Sequence, residues 1–297
     1  MFLFTFFLCL ITLKKTLGSY VNISSIYSGD GAKSTLASNV INGHDAFEGE
    51  FPFMAQIYYL DRQRNFRFKC GGSLIGDKHI LTAAHCLYKD FSGKSMIPLE
   101  DMRIVVGKNE RMSKKNNYKT YSVKDVNKFG YPENRAADFA IIALSANVPE
   151  EEATSIQIFG GEIQNTIPVQ VLGFGSLNSD GSMPSSFLKV ASVDISNSTN
   201  CSAKTIHWKN NDGMLICQES RGKNESNDSC NGDSGGPLIT EYKNKYYLVG
   251  TVIIGAKKKE TQKNVCGKDI VGYYARVGYY LDHIAEITEI PKTSLIL

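Results

Sequence analysis

Apolar residues along this chain gather in short runs that are cut by Gly, Asn, Asp or Ser, and almost nowhere do they recur with a helical period. Phe53 to Tyr59, Ser73 to Thr82, Met102 to Val106, Phe139 to Ala143, Val169 to Gly173, Leu215 to Cys217 and Tyr246 to Ile254 are rich in β-branched and aromatic residues, which predicts strands. A helical stripe appears at Tyr279 to Glu289. There Tyr280, Leu281, Ile284 and Ile287 share one face ahead of Pro291, predicting a closing helix. The pattern is all-β, without an internal repeat, and the acidic, polar passage from Pro149 to Thr166 reads as a connection between two halves.

Composition narrows this picture. A chain of 297 residues with 42% hydrophobic content and 26 glycines can bury a large core, and all-β units of about 200 to 250 residues are common. The net charge is +3; Lys14, Lys15 and Lys33 against Asp30 place +2 of it before Val40. Nothing in that balance asks for a nucleic-acid or membrane partner. Phe2 to Leu13 is almost wholly apolar and too short to span a bilayer comfortably, and Gly18 and Ser19 follow it, so residues 1–18 read as a secretory signal peptide. Lys14 and Lys15 lie after the apolar run rather than before it, which keeps an uncleaved anchor as the competing reading. Cys9 falls inside the leader. The other six cysteines, Cys70, Cys86, Cys201, Cys217, Cys230 and Cys266, form an even set that fits an oxidising compartment and could pair in fifteen ways. Their spacing does not suit zinc knuckles. Sequons at Asn22, Asn197, Asn200, Asn224 and Asn227 agree with secretion as candidate acceptors.

The candidate chemistry sits in three segments. Cys230-Asn231-Gly232-Asp233-Ser234-Gly235-Gly236-Pro237-Leu238 can place a nucleophilic hydroxyl, adjacent backbone N–H donors and a buried carboxylate in one tight turn. Leu81-Thr82-Ala83-Ala84-His85-Cys86 supplies a base whose ordinary pKa suits proton exchange near neutrality. Ala137-Asp138-Phe139-Ala140-Ile141-Ile142 supplies an acid to orient it.

Those motifs, in the chain order His, Asp, Ser, resemble the trypsin/chymotrypsin family of serine endopeptidases, and the resemblance runs from about Val40 to the C-terminus. It implies two antiparallel six-stranded β-barrels, over about 40–150 and 167–277, with a C-terminal helix at about 279–289. It also implies a triad of His85, Asp138 and Ser234, an oxyanion hole from the N–H groups of Gly232 and Ser234, and disulfides Cys70–Cys86, Cys201–Cys217 and Cys230–Cys266. Asp228 would lie at the base of the primary specificity pocket, with Ser229, Gly255 and Gly272 around it, giving a preference for Lys or Arg. Val40-Ile41-Asn42-Gly43 resembles the family's mature start, so residues 19–39 would be an activation propeptide and the freed Val40 ammonium would pair with Asp233. Protein or peptide substrates, protein inhibitors, an extracellular location and no cofactor follow from the same resemblance.

Several positions depart from the family pattern. Asn39, not Lys or Arg, precedes Val40, so activation would need a protease that cuts after Asn, such as an asparaginyl endopeptidase. Ile253 and Ile254 replace the usual Ser-Trp pair, removing a donor to Asp138 and an aromatic wall. Ala256 to Val265 reads as an insertion carrying Lys257, Lys258, Lys259 and Lys263, either solvated or receptive to acidic substrate residues. The stretch Lys108-Asn109-Glu110-Arg111, with Lys114 and Lys115, lacks the clustered oxygens that calcium needs, so no metal is expected. A protease-like binding protein without activity and a chymotrypsin-like preference are the alternatives.

Overall fold

A computed structural model describes residues 43–297 except 91, 220–227, 260, 262, 264 and 268. The leader, the propeptide, Val40, and the sequons at Asn22, Asn224 and Asn227 lie outside the described residues. Of the other two sequons, Asn197 and Asn200 are both exposed.

Six antiparallel strands close a barrel in the order β2-β3-β4-β7-β6-β5: β2 (Met54–Leu60), β3 (Phe66–Ile75), β4 (His79–Thr82), β7 (Ala140–Leu144), β6 (Tyr121–Lys128) and β5 (Met102–Val106). The expected single strand from Ser73 to Thr82 is two strands. Gly76, at φ 59°, opens a turn between Ile75 and His79, which face each other across the β3–β4 pair. That glycine was hidden by the apolar residues on both sides. β6 escapes the sequence pattern because five of its eight residues are polar or charged; Tyr121 and Val123 point inward while Ser122 and Lys124 are exposed, the period of a half-buried strand.

The second sheet runs β1-β10-β9-β12-β13-β14-β11, with β1 (His44–Asp45), β10 (Lys189–Val193), β9 (Val169–Gly173), β12 (Pro237–Tyr242), β13 (Lys245–Lys257), β14 (Ile270–Arg276) and β11 (Leu215–Glu219). A bridge between Ile195 and Gln218 draws the far end of β11 back towards the segment after β10, so six of these strands curl round on themselves. β8 (Gln157–Ile158) pairs in parallel with β13. Pro237 is tolerated because it is the first residue of its strand.

Helices are few and short. α1 (Thr199–Lys204) is capped by the Ser198 side chain, which accepts from the Asn200 N–H. The predicted closing helix is α2 (Leu281–Thr288), preceded by a 3-10 turn at Val277–Tyr280 and ended by Glu289 at φ 59°. Tyr280 and Ile284 are buried, and Leu281 and Ile287 pack against the core. α3 (Lys292–Leu295) follows, and Leu295 is buried. Among the described residues no helix is long and apolar enough to cross a membrane.

The two sheets meet where β3 passes the end of the Cys230–Gly236 loop. A Cβ on Gly71 would lie 2.9 Å from the Gly236 Cα, so close approach of the two backbones requires glycine here.

Candidate active site

His85 sits in a 3-10 turn, Ala84–Leu87, that follows directly on β4, and all four of its residues are buried. Its backbone N–H donates to Asp138 Oδ1 at 2.8 Å, and its ring Nδ1 lies 2.7 Å from Asp138 Oδ2. One residue thus satisfies both oxygens of a carboxylate that is only 6% exposed. A carboxylate at Nδ1 fixes the tautomer with the proton on that nitrogen and leaves Nε2 as the acceptor.

Ser234 reaches the same place from the second sheet. The Asp233 N–H donates to the Cys230 carbonyl and the Gly236 N–H to the Asp233 carbonyl, which folds the loop into a tight turn. The Gly71 N–H donates to the Ser234 carbonyl at 2.8 Å, while a Cβ on Gly235 would collide with Thr82 Oγ1 and the Gly71 carbonyl. Ser234 is therefore pressed against the strand end that carries His85, and the Cys70–Cys86 disulfide ties the flanking segments together. The N–H groups of Gly232 and Ser234 donate to no described acceptor, and Gly232 is held at φ 101°. The Ser234 hydroxyl makes no hydrogen bond to a described residue. His85 and Asp138 are joined directly, whereas Ser234 is brought alongside with its hydroxyl bonded to no described residue.

The acid before Ser234 has its own cradle. Asp233 is 2% exposed; Oδ1 accepts from the Gly175 N–H at 2.7 Å and Oδ2 from the Cys230 N–H at 2.8 Å. A side chain on Gly173 or Gly175 would overlap the carboxylate. Burial pushes its pKa up to about 6, and the two N–H donors only partly oppose this. Gly173 and Gly175 escape a reading of motifs, because only the folded chain shows what they make room for.

Asp228 lies on the other side of the loop, 1% exposed. Oδ2 accepts from the Gly267 N–H at 2.8 Å, while Oδ1 has no hydrogen-bond partner among the described residues. Gly272 opposes Gly255 across the β13–β14 pair, and a Cβ at Gly272 would come within 3.5 Å of Asp228 Oδ1. A Cβ at Gly255 would lie 2.8 Å from Ile270 Cγ2. Burial raises Asp228 to about 7, opposed by the N–H groups of Gly267 and Ser229, raised further by Asp233 and eased by Lys258. Tyr274, also unforeseen, buries a hydroxyl beside this acid; burial first, then Asp228, raises its pKa.

The remaining expectations divide. Ile253 is buried and Ile254 is 60% exposed. Within the stretch read as an insertion from Ala256, Ala256 and Lys257 continue β13 opposite Val271 and Ile270. Lys258 is ion-paired with Glu219 at 3.0 Å. The six cysteines form Cys70–Cys86, Cys201–Cys217 and Cys230–Cys266, the pairing that the family resemblance implies. Cys70, His85 and Cys86 form the one grouping of metal-ligating types found among the described residues, but its sulfurs are joined to each other rather than present as thiolates.

Comparison with known proteins gives a consistent result. The sequence model of the family described as Trypsin matches residues 40–284. The chain is 28% identical over 268 residues to Serine protease Hayan of Drosophila melanogaster, covering 85% of this chain and 39% of that one. It is 31% identical over 256 residues to Transmembrane protease serine 11C of Mus musculus, covering 84% and 53%. With Chymotrypsin-C of Rattus norvegicus it is 30% identical over 260 residues, covering 84% and 89%. The chain thus spans about two-fifths to half the length of the first two relatives and most of the third.

Proposed function

Because the chain belongs to the trypsin family, we propose that it is a serine endopeptidase, secreted as a zymogen, that hydrolyses peptide bonds after Lys or Arg. The observation that carries this reading is the two-point grip of His85 on Asp138 beside a loop that presents Ser234 with two N–H groups that meet no described acceptor.

Each part has a task in amide hydrolysis. Ser234 attacks the carbonyl carbon while His85 Nε2 takes its proton; Asp138 keeps the ring oriented and stabilises the imidazolium. The N–H groups of Gly232 and Ser234 meet the charge on the former carbonyl oxygen. His85 then protonates the leaving amine, and water repeats the sequence on the acyl-enzyme. The unengaged Ser234 hydroxyl is compatible with this, since such hydrogen bonds tighten when substrate enters.

The Lys or Arg preference rests on Asp228. A buried carboxyl with one oxygen unpartnered among the described residues leaves a polar group unsatisfied, and a guanidinium or ammonium supplies the missing donors. Two relatives bear the name Chymotrypsin-C, so a preference for large apolar residues is the second reading. It would place an apolar side chain against the unpartnered oxygen. Activation is read as cleavage after Asn39, with the Val40 ammonium entering the Asp233 cradle.

A fluorophosphonate probe tests the activity directly. It should label Ser234 in protein starting at Val40, and His85→Ala should abolish the labelling; equal, slow labelling of both would favour a binding protein without activity.

A further inference from the structure

Two sequons, at Asn197 and Asn200, straddle the start of α1, and the fold treats their asparagines differently. Asn200 is committed to the protein. Its Nδ2 donates to Glu219 Oε1 at 2.9 Å, joining a carboxylate only 6% exposed that also takes the Lys258 ammonium at 3.0 Å and the hydroxyls of Ser196, at 2.8 Å, and Ser198. The next residue, Cys201, is held by its disulfide to Cys217. A sugar on the Asn200 nitrogen would be wedged against this carboxylate, and a buried acid stripped of donors destabilises the fold.

Asn197 is exposed, and its side chain makes no hydrogen bond to a described residue. Its base is nevertheless fixed. The Ser196 N–H donates to the Cys217 carbonyl at 2.9 Å, and the Ser196 carbonyl accepts from the buried Asn211 side chain at 2.9 Å. Asn211 in turn accepts from the Trp208 ring N–H at 3.0 Å. These bonds hold Asn197 at the wall of an open cavity of about 570 Å³. Ile206 stands in the same wall, 77% exposed. Apart from Lys209 and Asp212, the rest of the wall is made of hydroxyls, amides and apolar surface. Neutral groups that both donate and accept, beside an exposed apolar side chain, suit the hydroxyls and the apolar ring face of a sugar better than they suit an ion.

We infer that Asn197, and not Asn200, carries an N-linked glycan whose first sugars lie in this cavity and cover Ile206. The attachment rests on the secretion included in the proposed function, because the sugar donor is met on that route. The Asn197 side-chain nitrogen bonds to the anomeric carbon of an oligosaccharide carried on a lipid diphosphate; the carbon–oxygen bond to the diphosphate breaks, the lipid diphosphate leaves, and the nitrogen gives up one proton. Transfer precedes folding, so a chain modified at Asn200 must fold around the sugar or fail to leave the cell.

The acceptor is identified on the full chain made in cultured animal cells. Secreted protein is treated with peptide N-glycosidase in heavy-oxygen water, which converts each glycosylated Asn to a heavy Asp. Trypsin releases both asparagines in one peptide, Val190 to Lys204, and fragment masses separate them. Heavy Asp should appear at position 197 at least about tenfold more than at 200. Thr199→Ala should leave the peptide unmodified, and Ser202→Ala, which removes only the Asn200 sequon, should change nothing. Secreted protein bare at Asn197, or carrying sugar at Asn200, overturns the assignment alone. A chain retained in the cytosol and unmodified overturns the secretion reading with it. The place of the sugars is read by hydrogen exchange of secreted wild type against Asn197→Gln. Amides from Ile206 to Asn210 should exchange about threefold or more faster in the variant, while those of β5 should not change, and Thr199→Ala should match it. Equal exchange in glycosylated and bare protein means that the glycan hangs in solvent, which overturns the cavity and keeps the acceptor.

Discussion

Asp228 has one oxygen satisfied by the Gly267 N–H and the other, without a partner among the described residues, beside the space that Gly272 keeps clear. With its pKa raised to about 7 by burial, this acid titrates near neutral pH. Only the ionised form draws a cation strongly, so benzamidine should bind more tightly as pH rises from about 6 to 8, provided that inhibition is corrected for protonation of His85. Asp228→Ser should remove that dependence and lower kcat/KM for Arg substrates by a factor on the order of 1,000 or more, with little effect on a Phe substrate. A wild-type enzyme that cleaves after Phe as well as after Arg would refute the pocket assignment. His79 offers a separate residue-scale test. It is 5% exposed with Nδ1 unpartnered, and burial lowers its pKa below the ordinary 6.5. The unfolded chain then binds the proton first, so the His79 contribution is intact above about 6.5 and is lost as pH falls below it. Thermal melts of His79→Gln should lose that part of the acid sensitivity, and unchanged sensitivity would exclude it.

At the level of elements, glycines set the geometry of the site. Gly175 donates its N–H to Asp233 and has no room for a Cβ, so Gly175→Ala must displace either the carboxylate or the β9 end. It should cost about 1 to 3 kcal/mol of stability and most of the activity, whereas Gly213→Ala, with no contact nearer than 3.6 Å, should leave activity unchanged. Chemical denaturation with a parallel activity assay separates the two outcomes. The same contrast explains what could be read from sequence. His85, Asp138 and Ser234 stood out because each lies in a short motif with a chemical purpose, and β5 and β9 because each is a run broken by one polar residue, Arg103 and Gln170. β6 escaped because alternation with Lys124 and Asp125 looks like a loop, and α1 because six residues cannot show a helical period. The turn at Gly76 was masked by flanking apolar residues. Gly173, Gly175 and Tyr274 acquire a meaning only from what the fold sets against them, which no local pattern records.

For the molecule as a whole, the charge that matters most is that of the buried acid beside Ser234. Asp233 is held by two N–H groups and, among the described residues, by no cation, and burial raises its pKa from the ordinary 3.8 to about 6. A folded state that holds its proton longer than the unfolded chain is favoured at low pH. The Asp233 contribution is therefore complete below about 3.8 and is lost as pH rises through about 6. In the uncut precursor, melting temperature should accordingly fall more steeply over this range in the wild type than in Asp233→Asn. Cleavage after Asn39 changes the sign of the argument. The Val40 ammonium, once freed, can pair with the carboxylate, favour its ionised form and flatten or reverse the slope; an uncut peptide N–H cannot. Breaking such a buried pair typically costs about 3 to 5 kcal/mol, enough to leave the oxyanion loop poorly formed. Asp233→Asn should thus cripple the cut protein while leaving the uncut form nearly as inactive as before, and Asn39→Arg should make activation respond to added trypsin. Amino-terminal sequencing of the active species decides the matter: full turnover by a chain still carrying residues 19–39 would end the activation reading, while the triad would remain to be judged by its own labelling.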